Sequence, residues 1–213
     1  DEDDDEWIGE GHYADTLERK DVKKYTLRVT LKGIKPPIYR KFAVPSNITL
    51  RNLSDHLIFI MGWDGEHLNQ FRMGRKIFMP YYMRDEAIEC FAEYRNQEEC
   101  ALSDVLNEKG KSIEWEYDFG DAWSHEVKLS SVGEYKEEEP RYSFVKGARA
   151  CPPEDCGGVL GYMHLLELHE KLKSGKRLVC EEKKFYDWHL DKDFDPEEVD
   201  AEMARIIFED WNE

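Results

Sequence analysis

From Tyr25 to Leu31 the chain alternates strictly, with Tyr25, Leu27, Val29 and Leu31 on one side and Thr26, Arg28 and Thr30 on the other. A period of two predicts a half-buried strand. Gly33 and Pro36-Pro37 interrupt the pattern, which resumes through Ile38, Arg40, Phe42 and Val44. The two runs read as a hairpin with a long connection. The period then changes. Thr49 stands at an N-cap position before Leu50, Leu53, Leu57 and Ile60, and Gly62 falls where a left-handed residue ends a helix. Gly62–Phe71 reads as a loop running into a strand. Arg84–Asn107 is polar and weakly patterned, and is expected to be helical in part, with Leu102, Val105 and Leu106 as a buried stripe.

The clearest local pattern lies in the middle of the chain. Ile113, Trp115, Tyr117 and Phe119 alternate with Glu114, Glu116 and Asp118; Gly120-Asp121 turns the chain; Trp123, His125, Val127 and Leu129 alternate back. This predicts a second hairpin. Val159–Leu172 reads as a helix apolar enough to be well buried. A last helix starts at Asp195, with Pro196 at the first helical position and Glu198 completing a capping box. Its apolar face would be Val199, Met203, Ile206 and Ile207. Hairpins mixed with helices, without an internal repeat or an evident linker, predict an α+β fold with helices packed on an antiparallel or mixed sheet.

Composition adds boundaries to this picture. At 213 residues with 40% hydrophobic and 13% aromatic content, the chain can bury a sizeable core without a staple. Residues 1–20 read as an acidic, mobile tail and 21–213 as one domain. The formal net charge is −17, and setting aside the six acids of Asp1–Glu6 still leaves −11. Such a field repels phosphate backbones and anionic lipid. Two basic groupings, Arg72, Arg75 and Lys76 and then Lys171, Lys173, Lys176 and Arg177, read as solvated faces. No apolar run approaches the ~20 residues of a membrane span, and the acidic start argues against a signal peptide. Five cysteines, an odd number in a chain this long, argue for reduced thiols and a cytoplasmic setting.

Three segments could carry chemistry. At the second hairpin, Asp118 and Asp121 flank Gly120, and His125 follows on the returning strand beside Trp123. A carboxylate near an imidazole suits acid–base work or metal binding. The plainer reading is a turn whose Asp118 sits on the polar face of its strand and whose His125 is a core histidine. The second segment, Cys151-Pro-Pro-Glu154-Asp155-Cys156-Gly-Gly, is stiffened by prolines and leads into a helix. Cys-x4-Cys is not a standard zinc spacing, so a zinc site at His125, Cys151 and Cys156 requires a histidine to converge on the loop. The third segment is Trp63 with His67 in Gly-Trp-Asp-Gly-Glu-His, where Trp63 either lines a pocket or closes the core. Phosphate-binding glycine motifs and a nucleophile elbow are missing.

These segments, in this order, resemble the plasmid pRiA4b ORF-three-like family. The resemblance rests on Ile38–Phe71, on Trp115–Leu129 with its YDFGDxWxH core, on Gly147–Tyr162 with its CPPEDxGG core, and on Phe194–Asp200. It implies a compact α+β fold and a bacterial or archaeal cytoplasmic protein associated with plasmids and insertion elements, with no established reaction. The family's motifs fall on Asp118, Gly120, Asp121, Trp123, His125, Pro152, Pro153, Glu154, Asp155, Gly157 and Gly158.

The expectation is a non-catalytic binding or accessory module that uses no cofactor. Trp63, His67, Asp118, Asp121, Trp123, His125, Glu154 and Asp155 would recognise a protein or small ligand. The alternative is a metal-assisted hydrolase built on Asp118, Asp121, His125 and Glu154, with a divalent ion such as zinc. A third reading, an accessory to DNA transposition, would act through a protein partner, because the charge opposes direct nucleic-acid contact.

Overall fold

The computed structural model describes residues 14–85, 93–190, 194–199 and 212. Strands β1 (Lys24–Leu31) and β2 (Tyr39–Pro45) pair antiparallel, with Tyr25 opposite Val44 and Thr30 opposite Tyr39. Their alternation holds: Tyr25, Leu27, Val29 and Leu31 are buried. Helix α1 (Leu50–Met61) begins where the spacing requires. Thr49 Oγ1 accepts from the Asn52 amide at 3.1 Å, and Gly62, at φ +83°, donates back to the Ile58 and Phe59 carbonyls. Thr49→Ala is expected to lower stability by about 1 kcal/mol in urea melts, with Thr49→Ser retaining most of it; equal midpoints for parent and Thr49→Ala would refute the cap.

Strands β3 (Asn69–Met73), β4 (Lys76–Met79) and β5 (Glu93–Asn96) follow, with a single 3-10 turn at Tyr81–Met83. After a four-residue helix α2 (Leu102–Val105) come β6 (Ser112–Tyr117), β7 (Trp123–Gly133) and β8 (Ser143–Ala148), and then helices α3 (Gly158–Lys173) and α4 (Cys180–His189). The strands form one eight-stranded mixed sheet in the order β5-β4-β3-β6-β7-β1-β2-β8, antiparallel except for the β4–β5 pair. This is a single α+β domain.

One continuous core joins Leu27, Val29 and Phe42 of the sheet to Leu53 and Leu57 of α1 and Leu165 and Leu168 of α3. A buried polar thread crosses it. Trp115 Nε1 donates to Ser54 Oγ at 3.1 Å, and Ser54 donates to Asn69 Oδ1 at 2.6 Å. The thread ties β6, α1 and β3 and fixes how α1 lies on the sheet.

The structure corrects several sequence expectations. Phe119 does not continue the β6 face: Asp118 takes a left-handed conformation, φ +56°, and turns Phe119 outward to 40% exposure. Asp118 is therefore on no polar strand face; it is buried at the turn. Helix α3 buries one face only, because Leu160 and Met163 point to solvent. The end of the acidic segment contacts the domain. Thr16 bridges Ile48, Asn47 Nδ2 donates to the Leu17 carbonyl at 2.7 Å, and Arg19 pairs with Asp104. The last helix does not start at Asp195: residues 195–199 form a turn, in which Asp195 Oδ1 accepts from the Glu197 amide at 2.9 Å and the Asp195 carbonyl from the Glu198 amide at 3.1 Å; Met203, Ile206 and Ile207 lie outside the described residues.

Candidate functional site

Three connections meet at one end of β6: the loop leaving α1, the β6–β7 turn, and the loop leading into α3. Glycines permit the approach. Gly157 and Gly158 are left-handed, at φ +89° and +66°, and a Cβ on Gly158 would stand 2.4 Å from the Asp121 carbonyl oxygen. The Gly157 amide donates to Asp121 Oδ2 at 3.1 Å, locking the turn onto the loop. Trp63 Nε1 donates to the Pro152 carbonyl at 3.0 Å. Glu154 Oε1 accepts from both the Asp64 amide at 3.1 Å and the Tyr117 hydroxyl at 3.0 Å. His189, at the end of α4, reaches the Asp155 carbonyl with Nε2 at 3.2 Å.

The turn is held by Asp118. Its amide donates to the Leu68 carbonyl at 2.9 Å, and its Oδ1 accepts from Gly120 at 2.8 Å. Asp155 is also left-handed, at φ +53°. Aspartate tolerates this conformation better than most residues, and both strained positions place carboxylates at the same spot. His67 stands among them: Nδ1 is 3.7 Å from Asp118 Oδ1, and Nε2 is 3.4 Å from Asp155 Oδ1 and 3.9 Å from Glu154 Oε2. Among the described residues, no lysine or arginine pairs with Asp64, Asp118, Asp121, Glu154 or Asp155. Burial, with the Asp64 charge adding to it, raises the Glu154 carboxyl above its ordinary range, and its Oε2 is buried without a hydrogen-bond partner.

Not every predicted residue reaches this centre. Trp63 closes the core: it is buried, stacks on Tyr117 at 4.7 Å and lies 6.1 Å from the Trp115 and Trp123 rings. Trp123 and His125 sit behind it. His125 is 0% exposed, its Nδ1 is 3.3 Å from the Trp115 carbonyl, and burial pushes its pKa down to about 3. The structure does not gather His125, Cys151 and Cys156 into a donor set. Cys151 Sγ instead accepts from Arg40 Nη2 at 3.0 Å and faces Met61. Burial pushes its thiol up to about 11 and that of Cys156, with Asp121 adding, up to about 12. The donors that do converge, within 4.8 Å of one another, are His67, Asp118 and Asp155.

Two contributors escape the sequence reading. Tyr117, treated there only as a strand residue, holds Glu154 with its hydroxyl; its place directly before Asp118, at the end of the apolar alternation that stays buried, is the signal that marks it. Arg40 is buried and donates to the Ile60, Tyr39, Ala148 and Arg149 carbonyls. It anchors the start of the loop into α3, and an arginine among apolar positions of a strand is the hint.

A single α+β domain with an acidic centre at the end of its sheet is the class of protein that fold and site define. The family follows from comparison. The model described as plasmid pRiA4b ORF-3-like protein matches residues 23–203, and the chain belongs to that family. An uncharacterised protein of Sinorhizobium fredii, y4hQ, is 35% identical over 147 residues, covering 66% of this chain and 70% of its own. The crystal structure of a protein of unknown function from Methanosarcina mazei, MM3350, superposes with a TM-score of 0.71 at 30% identity, covering 87% of this chain and 98% of its own. Among the described residues, no helix is long and apolar enough to cross a membrane.

Proposed function

We propose that this chain is a non-catalytic recognition module whose site at the β6–β7 turn takes a cationic ligand. One observation carries the reading: Asp118, Glu154 and Asp155 converge about a single imidazole, and among the described residues no lysine or arginine pairs with them. Unneutralised carboxylates with one oxygen already buried favour a positive group. Exposed apolar side chains next to site residues in sequence support a partner that docks beside it: Leu68 after His67, Phe119 after Asp118, and Trp188, 85% exposed, before His189. An activated nucleophile is missing from the described site, since both loop thiols have raised pKa values and His125 is sealed away from them. The hydrolase alternative counted on His125, which is buried against the Trp115 carbonyl and not at the acidic centre. The family's plasmid name supports a setting among mobile elements, and the charge of −17 supports a role there through protein contact in the cytoplasm rather than on DNA.

The test is calorimetry on chelator-treated protein at low ionic strength, with hexalysine and its glutamine counterpart as probes. Hexalysine is expected to bind, and Glu154→Gln with Asp155→Asn to weaken it about tenfold, or about 1.4 kcal/mol. The control pair Glu108→Gln with Glu137→Gln, which removes equal charge elsewhere, should change it far less. Equal weakening by both pairs, or equal binding of the glutamine peptide, would show that the site confers no recognition.

A further inference from the structure

Resting on that reading, we infer that the cation is a divalent first-row metal ion of the zinc type, held by His67, Asp118 and Asp155. The donor set is mixed, one imidazole and two carboxylates, which suits zinc and its neighbours rather than magnesium or calcium. One ligand atom from each residue lies within 4.8 Å of the other two. Ligands bonded at about 2.1 Å to a tetrahedral ion stand about 3.4 Å apart. The widest separation within the set, at most 4.8 Å, would close by up to about 1.4 Å around such an ion.

The second observation is Glu154. Its Oε2 is out of solvent, bonded to nothing, and faces His67 Nε2 at 3.9 Å. A buried carboxylate oxygen without a partner is costly, and a water on a bound ion would donate to it. The other oxygen is fixed by Tyr117 and Asp64, so the free one is held in place. This is the outer support that metal ligands need. Three protein donors leave a position open. Through it a partner's carboxylate or carbonyl would complete the ion, so recognition at this surface becomes metal-dependent.

The scaffold is suited to the task. Each ligand comes from a different connection: His67 from the loop after α1, Asp118 from the β6–β7 turn, and Asp155 from the loop into α3. The turn and the loop into α3 are locked by the Gly157–Asp121 bond, and the loop after α1 is tied to the latter through Trp63 and Pro152. An ion would add a further tie among the three, and would stabilise the fold by mass action.

The experiment uses the full chain, treated with chelator and dialysed. Calorimetry with zinc chloride is expected to give one equivalent bound and a raised melting temperature. His67→Gln and Asp155→Asn alter side chains that solvent reaches, and should fold as the parent does; each is expected to weaken zinc about 100-fold. Cobalt(II) should give visible bands of a nitrogen–oxygen site, without the near-ultraviolet thiolate band. No zinc binding, zinc binding that survives His67→Gln, or a cobalt–thiolate band would each overturn the inference. If zinc fails while hexalysine still binds in a manner sensitive to Glu154→Gln with Asp155→Asn, only the metal is wrong. If neither binds, the cationic-site reading falls with it.

Discussion

Gly161→Ala is expected to destabilise this protein by about 3 kcal/mol or more and to disturb the acidic centre at the same time. A Cβ at position 161 would stand 1.7 Å from the Cys156 carbonyl oxygen and 2.7 Å from its carbon. Both are backbone atoms, so no rotamer change relieves the overlap. The Gly161 amide also donates to the Gly157 carbonyl at 3.1 Å, so the first turn of α3 and the loop before it are one tightly wound unit. Relief requires Cys156 to move. It is buried at 2% exposure, directly after Glu154 and Asp155 and directly before the Gly157 amide that holds Asp121. For a domain of this size the loss corresponds to roughly 10 °C in Tm. The variant should also bind hexalysine less well than the parent when both are folded. Gly133→Ala is the control, because nothing lies within 4 Å of its Cβ position and its φ is ordinary. Gly161→Ala melting within about 2 °C of the parent would mean that this close approach is absent in solution.

Gly161 also shows where sequence reading stops. Periodicity identifies which residues share a face, and it placed β1, β2, α1 and the β6–β7 hairpin because each has an apolar side and a polar side. It is weaker for edges. Strand β5 is Glu-Tyr-Arg-Asn, and β8 carries an exposed Val145, so neither shows a buried stripe. Helix α4 buries only Tyr186 fully. For the site, the turn and cap chemistry of Asp118, Gly120 and Gly157 marks irregular backbone, but the same residues serve any tight turn. What the chain does not announce is convergence. His67 and His125 both lie near aromatics and acids in sequence, yet one faces three carboxylates and the other is sealed behind Trp63. The alternation through Trp123, His125 and Val127 already assigned His125 to the core face. That assignment was more informative about its role than its nearness to two aspartates.

The sealed histidines lead to the other large effect, an acid sensitivity set by the core. His125 is pushed down to about 3 and His56 to about 4, in each case by burial. An unfolded histidine titrates near 6.5. Between that value and the folded one, the unfolded chain binds a proton that the folded chain does not, so folding stability falls as pH drops. The contribution is fully present above about pH 6.5 and is lost progressively down to about pH 3 to 4. At pH 4.5 each histidine is about two units into its window. At 1.36 kcal/mol per unit this removes about 2.7 kcal/mol each, or about 5 kcal/mol together as an upper bound. The exposed, ion-paired Glu114 has a lowered pKa and acts in the same sense, but solvent screens it. The carboxyls raised by burial, at Asp55, Glu98 and Glu154, act in the opposite sense. His125→Phe separates the terms. Phenylalanine fills a place between the Trp63 and Trp115 rings, at 5.4 and 4.8 Å from the imidazole, and has no proton to gain. Urea midpoints measured from pH 7 to 4.5 should fall steeply for the parent and about half as steeply for the variant. The variant gives up the contact to the Trp115 carbonyl at every pH, which shifts its curve without changing its slope. Parallel pH curves for the two proteins would show that His125 takes up its proton without opening the fold, and that the aromatic wall behind the acidic centre is not sealed.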